Sequence, residues 1–220
     1  MNVAYEGPQD LPDTIPVFPL PGALLLPRGQ MPLNVFEPRY LAMVDAALAG
    51  ARLVGIIQPR DPERIGGMPE LYEVGCVGRL VQFAETGDGR YLVSLTGVAR
   101  FDIVEEVRGH TPYRQCRVSY DRFRSDFRAR AGEAGVDRIA VLAALRLFTE
   151  ATGVQMDWDG VERTPNEALV NALSMLAPFG HREKQALLEA ADLKSRAEML
   201  VALAEIELAK TGPANQTTLQ

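Results

Sequence analysis

The sequence predicts an α+β chain: a proline-punctuated β-barrel of about six strands and one short helix, followed by a bundle of about four helices. Three observations predict it. Between Ile15 and Tyr40, three short apolar runs are broken by proline and glycine. From Tyr72 to Tyr120, apolar and polar residues alternate over long stretches. Past residue 135 the apolar spacing becomes helical. At 220 residues the chain makes one large domain or two small ones, with ample material for a core. The change of period divides a β-rich subdomain over 14–122 from a helical one over 123–210.

Residues 1–13 read as a disordered leader, and 211–220 as a disordered polar tail. Ile15-Pro16-Val17-Phe18-Pro19-Leu20-Pro21, Ala23–Pro27 and Met31–Val35 are the opening strands. Proline cannot donate to a ladder, so these strands are short, bulged or at an edge. Pro38 suits the first turn of a helix, where its missing N–H costs nothing. Phe36, Tyr40, Met43, Val44, Ala47 and Leu48 give that helix one apolar face, and Gly50 ends it. Arg52–Gln58 follows as a buried strand, and Pro59–Pro69 as a polar loop on a rim.

A hairpin comes next. Tyr72–Phe83 and Tyr91–Leu95 are its arms, Thr86-Gly87-Asp88-Gly89 its turn, and Gly75 and Gly78 mark bulges or close backbone approach. Gly97 breaks the pairing, Ala99–Glu105 makes another strand, and Tyr113–Tyr120 closes the β-rich half. Asp137–Thr152 is the first helix of the bundle, with Ile139, Leu142, Ala143, Leu145 and Leu147 inward. Thr164-Pro165-Asn166-Glu167 reads as a capping box opening the second, with Leu169, Leu173 and Leu176 inward. Glu183–Ala190 is the third, and Asp192 caps the fourth.

Composition narrows the function. The chain is 47% hydrophobic and 24% charged, ordinary for a globular protein. Its net charge of −6 does not favour a nucleic-acid or anionic-membrane partner. The N-terminus lacks a secretory pattern, and no run approaches the roughly 20 apolar residues of a membrane helix. Cys76 and Cys116 lie far apart, which fits two buried thiols in a reducing cytoplasm better than a disulfide.

The chemistry-bearing motifs are missing. There is no GxxxxGK[ST], GxSxG, HExxH or GxGxxG. His110 and His181 are the only histidines, too few for a triad or a histidine metal cluster. Lys184, Lys194 and Lys210 lie on polar helix faces, unlike the buried lysine of a Ser-Lys dyad. No enzyme activity, cofactor or metal is expected. Three regions are candidates for binding. The Pro59–Pro69 loop offers Arg60. The connector from Tyr113 to Arg130 interleaves six arginines with aromatics and offers Phe123 and Arg124. The third is the polar stretch holding Trp158. Basic residues among aromatics can bind single-stranded nucleic acid; the plainer reading packs the aromatics between the two halves. An extended peptide can also add to a barrel edge strand left unpaired beside proline.

Four stretches together resemble the substrate-binding N-terminal domain of Lon protease, above all its stand-alone bacterial form. They are Ile15–Leu20 with Leu26-Pro27, Pro32–Tyr40, Leu71–Gly78 and Gly97–Phe101, and Glu183–Glu189 with Leu193–Leu200 fit the helical part. The resemblance spans residues 14–210. It implies a PUA-like β-barrel followed by a helical bundle. It also implies a non-catalytic, proteolysis-associated module that recognises unfolded or extended polypeptides and lacks the ATPase and peptidase modules. The implied partners are such polypeptides, or a protease or chaperone. RNA binding is the alternative, because PUA-like barrels include RNA-binding members. No catalytic residue is carried over.

Overall fold

The computed structural model describes residues 4–61, 68–153 and 155–211. The β-rich part runs β1 (Thr14–Pro19), β2 (Gln30–Val35), α1 (Pro38–Ala49), β3 (Leu53–Ile57), β4 (Val74–Glu85), β5 (Tyr91–Val107) and β6 (Arg114–Ser119). The helical part runs α2 (Arg138–Thr152), α3 (Trp158–Arg163), α4 (Asn166–Leu176), α5 (His181–Glu189) and α6 (Leu193–Thr211). Short 3-10 turns cover Pro8–Asp10, Asp121–Phe127 and Glu133–Gly135.

The strands form one six-stranded sheet in the order β2-β5-β4-β3-β1-β6. β1 and β3 are parallel and the other pairs antiparallel. β5 is 17 residues long, and its far end, Asp102–Val107, also pairs with β6. Register shifts at Val77/Gly78 and Leu80/Gln82 bend the β4–β5 ribbon, as bulges do. The expected barrel is corrected on this point. β5, β4, β3, β1 and β6 pair round in a ring, but β2 stays outside it with β5 as its sole strand partner among the described residues, so the six strands do not all close into a barrel and the sheet keeps an edge.

Two glycines mark close approach. A Cβ on Gly97 would lie 2.1 Å from the Leu26 carbonyl oxygen, and one on Gly75 would lie 2.4 Å from the Phe101 ring. Apolar burial then divides into two clusters. Phe18, Leu25, Met43, Leu95, Val170 and Leu187 belong to the one shared by sheet and helices. Ile15, Val17, Ile57, Val77, Phe101 and Cys116 belong to the other.

Buried polar side chains join the sheet to the bundle. Arg100 on β5, only 2% exposed, donates from Nε and Nη2 to Asp126 (2.9 and 2.8 Å). Its Nη1 donates to the carbonyls of Leu188 (3.0 Å) and Ala190 (2.6 Å), at the end of α5. Arg196 on α6 reaches the Leu187 carbonyl (2.9 Å) and Asn171 Oδ1 (3.0 Å), and Asn171 reaches the Pro27 carbonyl (3.1 Å). Gln58 accepts from the Gly22 N–H and donates to the His181 carbonyl and Gln185. These bonds satisfy groups that would be costly to bury alone, and Arg196 Nη2 is buried without a partner among the described residues.

The structure departs from the sequence reading in several places. Among the described residues the helical part holds five α-helices rather than about four, because Asp157 accepts from the Gly160 N–H and starts α3. Thr164 does not cap α4. Its hydroxyl donates to the Gly160 carbonyl, and Glu133 accepts from the Glu167 N–H in its place (3.1 Å). On α2 and α4 the buried faces are Val141, Ala144 and Leu145, and Leu169 and Val170; Ile139, Leu147 and Leu176 are exposed. Residues 4–13, expected as part of a disordered leader, lie on the sheet: Leu11 is buried and Tyr5 Oη accepts from Arg79 Nη1 (2.6 Å). The Asp13 carbonyl accepts from the Val118 N–H (2.7 Å). Residues 1–3 and 212–220 of the expected leader and tail lie outside the described residues.

Candidate functional site

The proline-rich opening builds a cleft of about 370 Å³. β1 ends because Pro19 and Pro21 cannot donate; between them the Leu20 N–H reaches the Ile57 carbonyl (2.9 Å). Pro19 and Pro21 line the cleft together with Pro59 and Pro69. β2 ends at Val35, Glu37 is the extended N-cap, and Pro38 opens α1. Phe36 falls between strand and helix and is 61% exposed, with the Arg90 guanidinium 5.7 Å from its ring. It was expected on the buried face of α1; that face is Tyr40, Met43, Val44 and Ala47.

The floor is apolar. The rings of Phe18 and Tyr40 lie 4.1 Å apart at an interplanar angle of 36°, beside buried Val35. Burial raises the Tyr40 phenol above its ordinary range, with the neighbouring Arg39 pulling the other way. Three of the charged groups on the rim already have partners. Arg39 donates to Glu37 (3.0 Å) and lies 4.5 Å from the Tyr40 ring. Arg114 grips Glu106 through two bonds (2.8 and 2.6 Å) and donates to the Pro69 carbonyl (2.7 Å). Met68 adds a second exposed apolar side chain. Neither histidine lines the cleft, and among the described residues no group of His, Cys, Asp or Glu could hold a metal. The arrangement is suited to apolar contact.

The four residues singled out from the sequence are not brought together, and none lines this cleft. Arg60 folds back on its own surroundings, donating to the Leu71 carbonyl and Glu73 and stacking 5.2 Å from Tyr72. Phe123 is 2% exposed, held between Arg100 and Arg122, each 4.4 Å from its ring. It is core, not a contact surface. Arg124 is exposed and paired with Asp121. Trp158 is not in a loop. It is the first residue of α3, half-buried against the core, with Arg146 5.2 Å from its ring.

Of the six arginines of the connector, Arg128 is exposed. The other five, Arg114, Arg117, Arg122, Arg124 and Arg130, are each paired with a carboxylate. Tyr120 and Phe123 are buried, and Phe127 packs on the core. No stacking platform for bases is presented there. What the sequence reading missed was Phe36. Its signal was local: Glu37-Pro38 is an N-cap followed by N1, which leaves the preceding residue outside the helix.

Comparison with known proteins agrees on one family. The family model described as the ATP-dependent protease La (LON) substrate-binding domain matches residues 14–205. Lon protease 2 of Myxococcus xanthus is 28% identical over 199 residues, covering 89% of this chain and 24% of that protein. Lon protease 2 of Sorangium cellulosum is 31% identical over 200 residues, covering 87% and 24%. The chain thus spans about a quarter of the length of these curated relatives. Among solved structures, the Lon N-terminal domain protein from Xanthomonas campestris superposes with a TM-score of 0.61 at 22% identity, covering 86% of this chain and 97% of that one. The N-terminal domain of Mycobacterium avium complex Lon protease gives 0.64 at 18%, covering 87% and 98%. At those identities the likeness is one of fold.

Proposed function

The chain belongs to the Lon substrate-binding domain family, and from that membership we propose that it is a non-catalytic module binding unfolded or extended polypeptide segments. The match takes in about a quarter of those relatives' length, and the family model that covers it describes a substrate-binding domain. One observation carries the reading on this chain: an apolar cleft with Phe36 and Met68 exposed beside it and its Arg39, Glu37 and Arg114 charges already paired. Such a surface favours an apolar, flexible chain over a charged ligand. Its partners are then exposed polypeptide segments, in company with a protease or chaperone. The two free, buried cysteines are consistent with a reducing cytoplasm.

The test is fluorescence anisotropy with a labelled, reduced and carboxymethylated protein that cannot fold, beside the same protein in its native state. The unfolded form binds and the native form does not. Phe36→Asp places a charge in the contact without touching the core, and weakens binding by about 30-fold, the scale of a hot-spot anchor. Equal binding of both forms, or none of either, overturns the reading. The arginine pairing and aromatic burial in the connector give RNA binding no specific support.

A further inference from the structure

Among the described residues, the edge strand β2 has a defined row of backbone groups with no strand partner. Its register with β5 pairs Gln30 with Thr96, Pro32 with Ser94 and Asn34 with Leu92. Just before it, the Gly97 N–H donates to the Gly29 carbonyl (2.8 Å), which makes Gly29 opposite Gly97 a hydrogen-bonded pair. Hydrogen-bonded and non-bonded pairs alternate in an antiparallel ladder. Met31, Leu33 and Val35 therefore bond to β5, while the backbone of Gln30, Pro32 and Asn34 faces away from it. Pro32 agrees with this parity, because its ring nitrogen has nothing to donate and sits on the outward side. The outward side thus carries the N–H groups of Gln30 and Asn34 and the carbonyls of Gln30, Pro32 and Asn34. Among the described residues, β5 is the only strand paired with this one.

Both ends of that edge open into apolar concavities. The C-terminal end leads into the cleft holding Phe36. The N-terminal end, at Gln30, leads into a second groove of about 380 Å³ against α4, lined by Pro27, Ala168, Ala172, Met175 and Leu176. Leu176 is 81% exposed at its rim. Along the edge, every second side chain of an added strand would fall beside half-buried Met31 and Leu33.

We infer that β2 is the rail on which a polypeptide docks: an extended segment adds antiparallel to its outer edge, with apolar residues at alternate positions and its two ends in the flanking clefts. This rests on the peptide-binding reading above and specifies how the peptide is held. Backbone pairing explains affinity without a fixed sequence, since every chain carries the same donors and acceptors. Pro32 leaves one rung of that new ladder without its donor. The edge therefore has two strong rungs, at Gln30 and Asn34, about 14 Å apart along the strand.

The experiment uses the full chain and a fluorescein-labelled peptide of alternating leucine and threonine flanked by lysines. Asn34→Pro removes one outward N–H and points a ring at the incoming strand, with the parity that Pro32 already tolerates. Asn34→Ala removes the same side chain and keeps the N–H. Docking by strand addition makes the proline variant bind at least about tenfold more weakly than the alanine variant. A second set needs no protein variant: the same peptide N-methylated at every second amide. One methylation parity abolishes binding and the other spares it. If both parities bind alike, or the proline and alanine variants bind alike while the wild type binds, strand addition is overturned and peptide binding stands. If the wild type binds no peptide and no unfolded protein, both fall. Sedimentation of the peptide-free protein checks the remaining occupant: self-association lost in Asn34→Pro assigns the edge to a second copy and overturns the proposal.

Discussion

Replacing Arg100 with methionine removes the charge that holds the two parts of the molecule together. The guanidinium is buried, makes a two-pronged pair with Asp126, and donates to the Leu188 and Ala190 carbonyls at the end of α5. Its loss strands a buried carboxylate, and breaking one partner of a buried pair costs about 3–5 kcal/mol. Each carbonyl left without its donor adds about 1–3 kcal/mol where water does not replace it. These terms overlap, so the expected loss is at least about 4 kcal/mol, a large share of the 5–15 kcal/mol typical of a domain. The double variant Arg100→Met/Asp126→Leu removes both charges and recovers at least about 2 kcal/mol, because no carboxylate is left uncompensated. Urea unfolding measures both, followed by far-ultraviolet circular dichroism and by the fluorescence of Trp158, the only tryptophan and a reporter on the helical part. In Arg100→Met the fluorescence transition comes at lower urea than the dichroism transition, as the bundle comes off the sheet first. A single-variant loss below about 1 kcal/mol, or a double variant no better than the single, would refute the reasoning.

Three further outcomes follow from the same geometry. Gly97→Ala puts a methyl 2.1 Å from a backbone oxygen that cannot swing aside, and lowers stability by about 3 kcal/mol or more in urea; a loss within about 0.5 kcal/mol would show that the strands can part there. Burial pushes the Cys116 thiol up to about 11 from its ordinary 9.0. The unfolded chain therefore gives up that proton first, and this contribution is intact below pH 9 and lost as pH rises toward 11. Wild type accordingly loses stability relative to Cys116→Ala by about 1.4 kcal/mol per pH unit across that window, and a pH-independent difference contradicts the assignment. Trp158 emission stays unchanged when peptide saturates the β2 edge, and a spectral shift would bring α3 into the contact.

The order of elements was legible because it is written in local terms. Alternation marked β4 and β5, Gly75 marked close approach, and Pro38 with Gly50 bracketed α1, whereas Gly97, expected to break the pairing, sits opposite Gly78 inside an unbroken β5. Long-range choices were not legible. Thr164 had a capping-box sequence, yet the Gly160 carbonyl competed for its hydroxyl and Glu133, from a separate turn, took over its role. Arg100 sits between Ala99 and Phe101 with all three buried, because sheet and helices cover both faces of β5 there, and nothing near it in sequence names Asp126 as its partner. The surroundings of the binding candidates were hidden for the same reason. An interleaved run of arginines and aromatics looks identical whether its carboxylate partners are present or not. The cleft, by contrast, was half-visible in the proline punctuation of residues 15–40, since Pro19 and Pro21, which interrupt pairing, line it.

The pairing of β1 has a consequence for how the chain is made. β1 lies between β3 and β6, and Ile15 faces Cys116 about a hundred residues later. A chain growing at 5–20 residues per second keeps that rung open for about 5–20 s. Throughout that interval Ile15, Val17 and Phe18 stand without their β6 neighbours, an apolar strand interrupted by proline and open on one side. Each newly synthesised copy thus displays, while still on the ribosome, the kind of segment that we propose the finished fold holds. Folding quickly enough to hide it is then a condition of not becoming its own first client.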